Sequence, residues 1–262
     1  MAITVQSTTI YPCKGLQGIP RNSIMINPSY GIIGDRTFAF AKPVNKTDEK
    51  VYSAGWQRKG AFFVAMNTPE MAAIQIPQIP DGEEITEELL WRLVTNLDLP
   101  IGTKLLDYRD AAFNLTDTDP AETPTVSLLN AASLRSLGGQ MGTSVDFRRF
   151  RMNIVVDGLA AWQELDWAQE FDARNPMGTQ NAEISIGEVR FKVFDACERC
   201  KAIEANPETG ERDGSLLSHL SVRSGHAGYE SPQRNRGDVM GVLLKPLNSG
   251  RIYVGDKLVI CQ

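Results

Sequence analysis

Four cysteines in 262 residues are too few for a disulfide scaffold. Any special thiol is therefore expected as a ligand or a reactive group rather than a staple. No run of 18 consecutive apolar residues occurs, which gives no transmembrane helix and no membrane partner. The opening MAITVQSTTIYPCKG carries its first positive side chain at Lys14 and has no apolar core of a signal peptide, so a cytoplasmic chain with reduced thiols is expected. An excess of basic charge is also missing. Lys and Arg number 27 against 32 Asp and Glu, a net charge of −5, and such a chain has no electrostatic reason to seek nucleic acid. There is no fixed-period repeat, heptad pattern or low-complexity tract. A GxGxxG fingerprint after a strand, a P-loop and a second cysteine cluster for an iron–sulfur centre are absent too.

What remains is 42% hydrophobic and 23% charged, enough apolar material for a real core. Ile3 to Tyr11, Thr37 to Ala41, Thr125 to Leu129 and Met152 to Val156 read as strands, as do Glu183 to Ile186 and Val189 to Phe194. Three more, Val242 to Lys245, Arg251 to Tyr253 and Leu258 to Ile260, follow near the end. Helices are expected at Glu87 to Asn96 and after Asn130, the latter with Leu134 and Leu137 inward and Gly138-Gly139 as its stop. Many short strands with few helices predict a β-rich α+β fold, a β-barrel core with peripheral helices beside a smaller N-terminal β-rich domain. The polar segment Asn114 to Pro124 is the expected boundary, giving units 1–118 and 119–262.

Cys197-Glu198-Arg199-Cys200 follows the strand Val189 to Phe194, and four readings of it stand side by side. The cysteines could be inert and buried. They could form a redox pair, although Lys201 to Gly210 runs into the turn NPETG rather than a helix. They could bind zinc with His219 and His226, at spacings that miss the finger pattern. Or one thiolate, with Arg199 beside it, could ligate a soft metal or act as a nucleophile. Lys14, Arg36, Arg149 and Arg151 each follow or interrupt a strand in apolar or glycine-rich surroundings. Singly they read as ordinary surface charges; together they could form an anion pocket, because guanidinium forks match phosphate. Gly15 lets the backbone approach a ligand, and Asn153 can donate and accept at the edge of a heterocycle.

Taken in order, Tyr11-Pro12-Cys13-Lys14-Gly15, Gly34-Asp35-Arg36, Phe150 to Val156, Cys197 to Cys200, Asn206 to Gly210 and Gly250 to Asp256 resemble the signatures of MOSC proteins with their N-terminal β-barrel domain. That family includes the mitochondrial amidoxime reducing component and the C-terminal part of molybdenum cofactor sulfurase. The resemblance implies the molybdenum cofactor (Mo-molybdopterin), held by Lys14, Gly15, Arg36, Arg151, Asn153 and Arg199. It also implies that Cys200, rather than Cys197, ligates the metal. Gly15 and Glu198 stand where the reducing members usually carry serine, which removes a hydroxyl and adds a carboxylate; Glu198 is thereby a candidate proton donor. The expected activity is oxidoreduction of a small N-hydroxylated or N-oxide substrate, with electrons from a separate donor protein. The alternative is a sulfur-transfer or cofactor-carrier module working through a Cys200 persulfide, and a third reading keeps the fold without the cofactor. Glu170 to Asn181 is expected to wall the pocket.

Overall fold

The computed structural model describes residues 2–42, 64–80, 83–107, 124–168, 182–224 and 238–261. Its strands, in chain order, are β1 (Thr4–Ile10), β2 (Cys13–Lys14), β3 (Ile19–Arg21), β4 (Ser23–Asn27), β5 (Gly31–Ile32), β6 (Phe38–Ala41) and β7 (Lys104–Asp107). They continue with β8 (Val126–Asn130), β9 (Ile154–Asp157), β10 (Glu183–Ile186), β11 (Val189–Glu198), β12 (Val239–Pro246), β13 (Gly250–Tyr253) and β14 (Leu258–Cys261). Four helices are α1 (Glu87–Leu93), α2 (Ala131–Met141), α3 (Gln163–Asp166) and α4 (Leu216–Ser224), and residues 64–67 form a further helical turn. None among the described residues is long and apolar enough to cross a membrane.

Eight strands form one sheet in the order β14-β10-β11-β12-β8-β9-β1-β3. Within this sheet only β8 and β9 pair in parallel, and α2 lies in the crossover that a parallel pair requires. Two three-stranded sheets, β13-β4-β5 and β2-β6-β7, complete the architecture. Among the described residues the sheet is not closed into the expected barrel. An isolated bridge between Thr4 and Lys257, with Val5 N donating to Asp256 O, Gly255 N to Val5 O and Leu258 N to Ile3 O, each at 2.9 Å, joins β1, one strand in from the edge, to the segment leading into β14. Against β9, β1 shifts register between Val5 and Ser7. β1 and β3, from the N-terminal part of the sequence, lie in the same sheet as β8 to β12. The expected boundary loop up to residue 123, the segment Glu170 to Asn181 and His226 lie outside the described residues.

Strand alternation divides the core between the two faces of the large sheet. Leu128, Ile154, Val156, Val242 and Leu244 enter one apolar cluster. Their neighbours Leu129 and Val155 enter another, with Leu137 of α2 and Leu216 and Leu220 of α4. A third cluster gathers Cys13, Leu16, Phe38, Phe40, Met71 and Leu90 around β2, β6 and α1. Asn130 caps α2 as expected, its Oδ1 accepting from Ala132 N at 3.0 Å. The helix does not stop at Gly138-Gly139. It continues to Met141 and ends on Gly142 in the left-handed region. Gly138 serves packing instead, since a β-carbon there would lie 2.7 Å from Thr143 O.

β11 is longer than the sequence indicates and carries the first half of the CxxC motif. Val189, Phe191 and Val193 face one cluster, but a register shift between Val193 and Asp195 reverses the parity, so Ala196 joins that cluster. Cys197 consequently points to the opposite core, among Leu129, Phe150 and Met240. The strand then ends, and the chain turns through Arg199 and Cys200 into a 3₁₀ helix, Lys201–Glu204.

Candidate functional site

The end of β11, the turn after β2, the Gly34–Arg36 turn and the 3₁₀ helix Phe147–Phe150 meet at one cleft of about 140 Å³. Lys14, Gly15, Arg36, Arg151, Glu198, Arg199 and Cys200 all line it. Arg149 and Arg212 join them, so the lining holds six cationic side chains and one carboxylate. Ala65, Met66, Pro69, Ala72 and Ile203 supply an apolar side. The two cysteines of the motif are parted: Cys200 is partly exposed on the cleft wall, and Cys197 is buried in the core. Cys13 is buried as well, and the loss of solvent pushes its thiol up to about 12. Among the described residues no group of three or more His, Cys, Asp and Glu side chains is arranged to hold a metal ion. His219 lies on α4, with its Nδ1 2.8 Å from Ser215 O.

The arginine forks are anchored in the protein. Arg36 follows Asp35 in a left-handed conformation, φ 47°, and its N donates to Tyr11 O at 2.7 Å. Its guanidinium donates to the Asp35 carboxylate, to Asn153 Oδ1 at 3.2 Å and to Arg151 O at 3.1 Å. Arg151 is also left-handed, φ 53°, and donates to Gly15 O at 3.3 Å and to Leu16 O. Burial lowers Arg151 to about 10, so it remains charged at neutral pH. Arg199 donates to Phe150 O at 2.8 Å and Met240 O at 3.0 Å. Carbonyl oxygens satisfy donors without neutralising charge, and the cleft therefore stays electropositive behind its apolar side. Arg36 and Arg149 are the exceptions, paired with Asp35 and, at 2.7 Å, with Asp213.

Asn153 lies behind this wall and borders a smaller chamber of about 40 Å³ with Arg36, Ser127 and Cys197. Its Oδ1 accepts from Ser127 Oγ at 2.7 Å as well as from Arg36, and its Nδ2 donates to Thr9 O at 3.1 Å and Asp35 Oδ1 at 3.0 Å. The amide thus fixes the Asp35–Arg36 pair from behind and does not line the main cleft. Gly15 has φ +97°, which L-residues rarely adopt. That conformation accounts for glycine where a serine was the family expectation.

Tyr11, Asp35 and Asn206 to Gly210 fall within the motifs that carry the resemblance, but the sequence assigned none of them, nor the loop Asn206–Asp213, a role in the site. Asp35 was legible only as part of a Gly-Asp turn, yet its carboxylate is the acidic partner of Arg36. The loop reaches over to the N-terminal half, with Arg212 donating to Met66 O and Gln17 to Pro207 O. Gly210 packs so closely that a β-carbon would lie 2.4 Å from Glu70 Cα.

The MOSC domain family model matches residues 119–259, more than half of the chain. The chain belongs to the MOSC domain family. It is 35% identical over 99 residues to the molybdenum cofactor sulfurase of Drosophila grimshawi, covering 37% of this chain and 11% of that protein. It is 32% identical over 108 residues to the molybdenum cofactor sulfurase of Bos taurus, again 37% and 11%. The match thus spans little more than a tenth of the length of these relatives. Among solved structures, the YUAD protein from Bacillus subtilis aligns over 98% of this chain and 94% of its own, at 9% identity and a TM-score of 0.43.

Proposed function

We propose that this protein is a molybdenum-cofactor-binding oxidoreductase that removes oxygen from a small N-hydroxylated or N-oxide substrate, using electrons from a separate protein. The reading rests on one observation above all: Cys200 shares a cleft with Lys14, Arg36 and Arg151, while Cys197 is turned into the core. The donor set suits the group, since a soft thiolate fits a molybdenum centre and clustered cations fit a phosphate-bearing pterin. When bound, the cofactor supplies the two-electron chemistry. Cys200 would hold the metal, and Lys14, Arg36 and Arg151 would hold the anionic end by charge, with Asn153 and Asp35 keeping Arg36 in place. Reduction of an N-hydroxyl compound takes two electrons and two protons, breaks the N–O bond and releases the amine and water. Glu198, on the same cleft wall, is the carboxyl group that can hold or deliver one of those protons. The apolar side formed by Ala65, Met66 and Pro69 favours a small uncharged organic substrate.

Protein purified from a host that makes the cofactor is expected to carry close to one molybdenum per chain and to yield a fluorescent pterin on oxidation. Molybdenum far below that level, with no pterin, removes the proposal. The similarity to molybdenum cofactor sulfurases supports a second reading, in which Cys200 accepts a sulfane sulfur from a desulfurase as a persulfide. A Cys200→Ser variant that reduces the substrate normally but no longer accepts labelled sulfur would decide for it.

A further inference from the structure

Tyr11 is 2% exposed, and its ring is flanked by two guanidinium groups: Arg151 Cζ lies 4.8 Å and Arg36 Cζ 5.4 Å from the ring centroid. Both arginines sit in left-handed backbone conformations that persist only where the surroundings hold them. Tyr11 touches both turns through its other groups as well. Its N donates to Asp35 Oδ1 at 2.6 Å, its carbonyl accepts from Arg36 N, and its hydroxyl donates to Met152 O at 3.4 Å, next to Arg151. Two partly buried cations of like sign repel one another, and the proximity of Arg36 lowers Arg151 further. An aromatic face offers negative electrostatic potential without a net charge, so it can hold both without cancelling either toward a ligand. A second carboxylate in that place, beside Asp35, would cancel more of the positive charge, and an aliphatic residue would leave the two guanidinium groups held by their hydrogen bonds alone. Burial raises the phenol to about 12, so the ring remains neutral at physiological pH.

We infer that Tyr11 is a positioning residue of the anion site: its ring sets the poses of Arg36 and Arg151, through which the cleft binds a phosphate group. This rests on the proposed function only for the identity of the physiological ligand. The test uses the full chain purified from a host that cannot make the cofactor, with inorganic pyrophosphate as probe, titrated calorimetrically at low salt. Tyr11→Phe keeps the ring and is expected to bind within about twofold of the native protein. Tyr11→Leu is expected to bind at least tenfold more weakly. A leucine there could also disturb folding, so phenylalanines bearing one, two and three ring fluorines are placed at position 11 by nonsense suppression. Fluorine withdraws electron density from the ring face at nearly constant shape, and pyrophosphate affinity is expected to fall stepwise with each atom. Equal affinity across the fluorinated series, or a native protein that does not bind pyrophosphate, overturns the inference. A graded series in a protein that never acquires molybdenum leaves the inference standing and removes the proposed function. A flat series in a molybdenum-loaded protein does the reverse.

Discussion

Replacing Gly15 by alanine measures the cost of the turn that carries Lys14 to the cleft. The residue has φ +97°, and a β-carbon there would lie 2.8 Å from Met71 Cε and 3.2 Å from Ala65 Cβ. A non-glycine residue held in a sparsely populated backbone region costs of order 1–3 kcal/mol, against which alanine regains roughly 0.4–1 kcal/mol by restricting the unfolded chain. Met71 Cε is the end of a flexible side chain, so the close contact adds less than the backbone does. Net destabilisation of about 1–2 kcal/mol is expected, which corresponds to a fall in Tm of roughly 2–8 °C for a chain of this size. Thermal unfolding followed by circular dichroism reads this directly. A cycle with Met71→Ala separates strain from contact: Gly15→Ala should cost nearly as much in the Met71→Ala background as in the native one. If the cost disappears when Met71 is shortened, or if Gly15→Ala leaves Tm unchanged, the backbone argument is wrong. Serine at the same position should behave like alanine, its hydroxyl giving no relief.

Glu164 is fully buried; Oε2 accepts from Ser133 Oγ at 2.8 Å and Asn130 Nδ2 at 3.0 Å, and Oε1 has no partner. Burial raises its pKa above the ordinary carboxylate value, so its contribution is complete below about pH 4 and is lost as pH rises through the folded-state value. Glu164→Gln should flatten that part of the stability–pH profile, as read by urea unfolding from pH 4 to 8; an unchanged profile would count against a raised pKa. Asn153→Ala removes the partner of Asp35, Ser127 and Thr9, and should cost about 1–3 kcal/mol and halve or worse the retention of any bound anion. Retention equal to the native protein would show that Arg36 holds its pose unaided. Cys200→Ser should abolish reduction of an N-hydroxylated substrate by the chemically reduced enzyme, whereas Cys197→Ser should retain most of it and lose modest stability. Equal loss in both variants would point to a redox pair.

Local chemistry was written in the chain itself. Most of the large sheet's strands followed from short apolar runs, whereas β2, β3, β4, β5 and β7 had no such reading; the start of α2 followed from Asn130, and the family from short motifs whose residue types survive any uncertainty about where elements end. Cys200, Lys14, Arg36 and Arg151 stood out because cations and thiols are uncommon beside glycine turns and strand ends. Their meeting in one cleft was an expectation that needed the fold, since about 185 positions separate Lys14 from Cys200 and no periodicity reports such a distance. The resemblance already preferred Cys200 to Cys197; the tertiary structure supplied the physical separation, because the register shift that reverses the parity of β11 depends on its pairing with β12. That the sheet stays open was equally illegible, since which strands pair is decided by tertiary contacts and not by strand propensity. The aim of the arginine forks was equally invisible. A guanidinium donates to whichever oxygens lie within reach, and here these are the carbonyls of Gly15, Leu16, Phe150, Arg151 and Met240, brought there by segments remote in sequence.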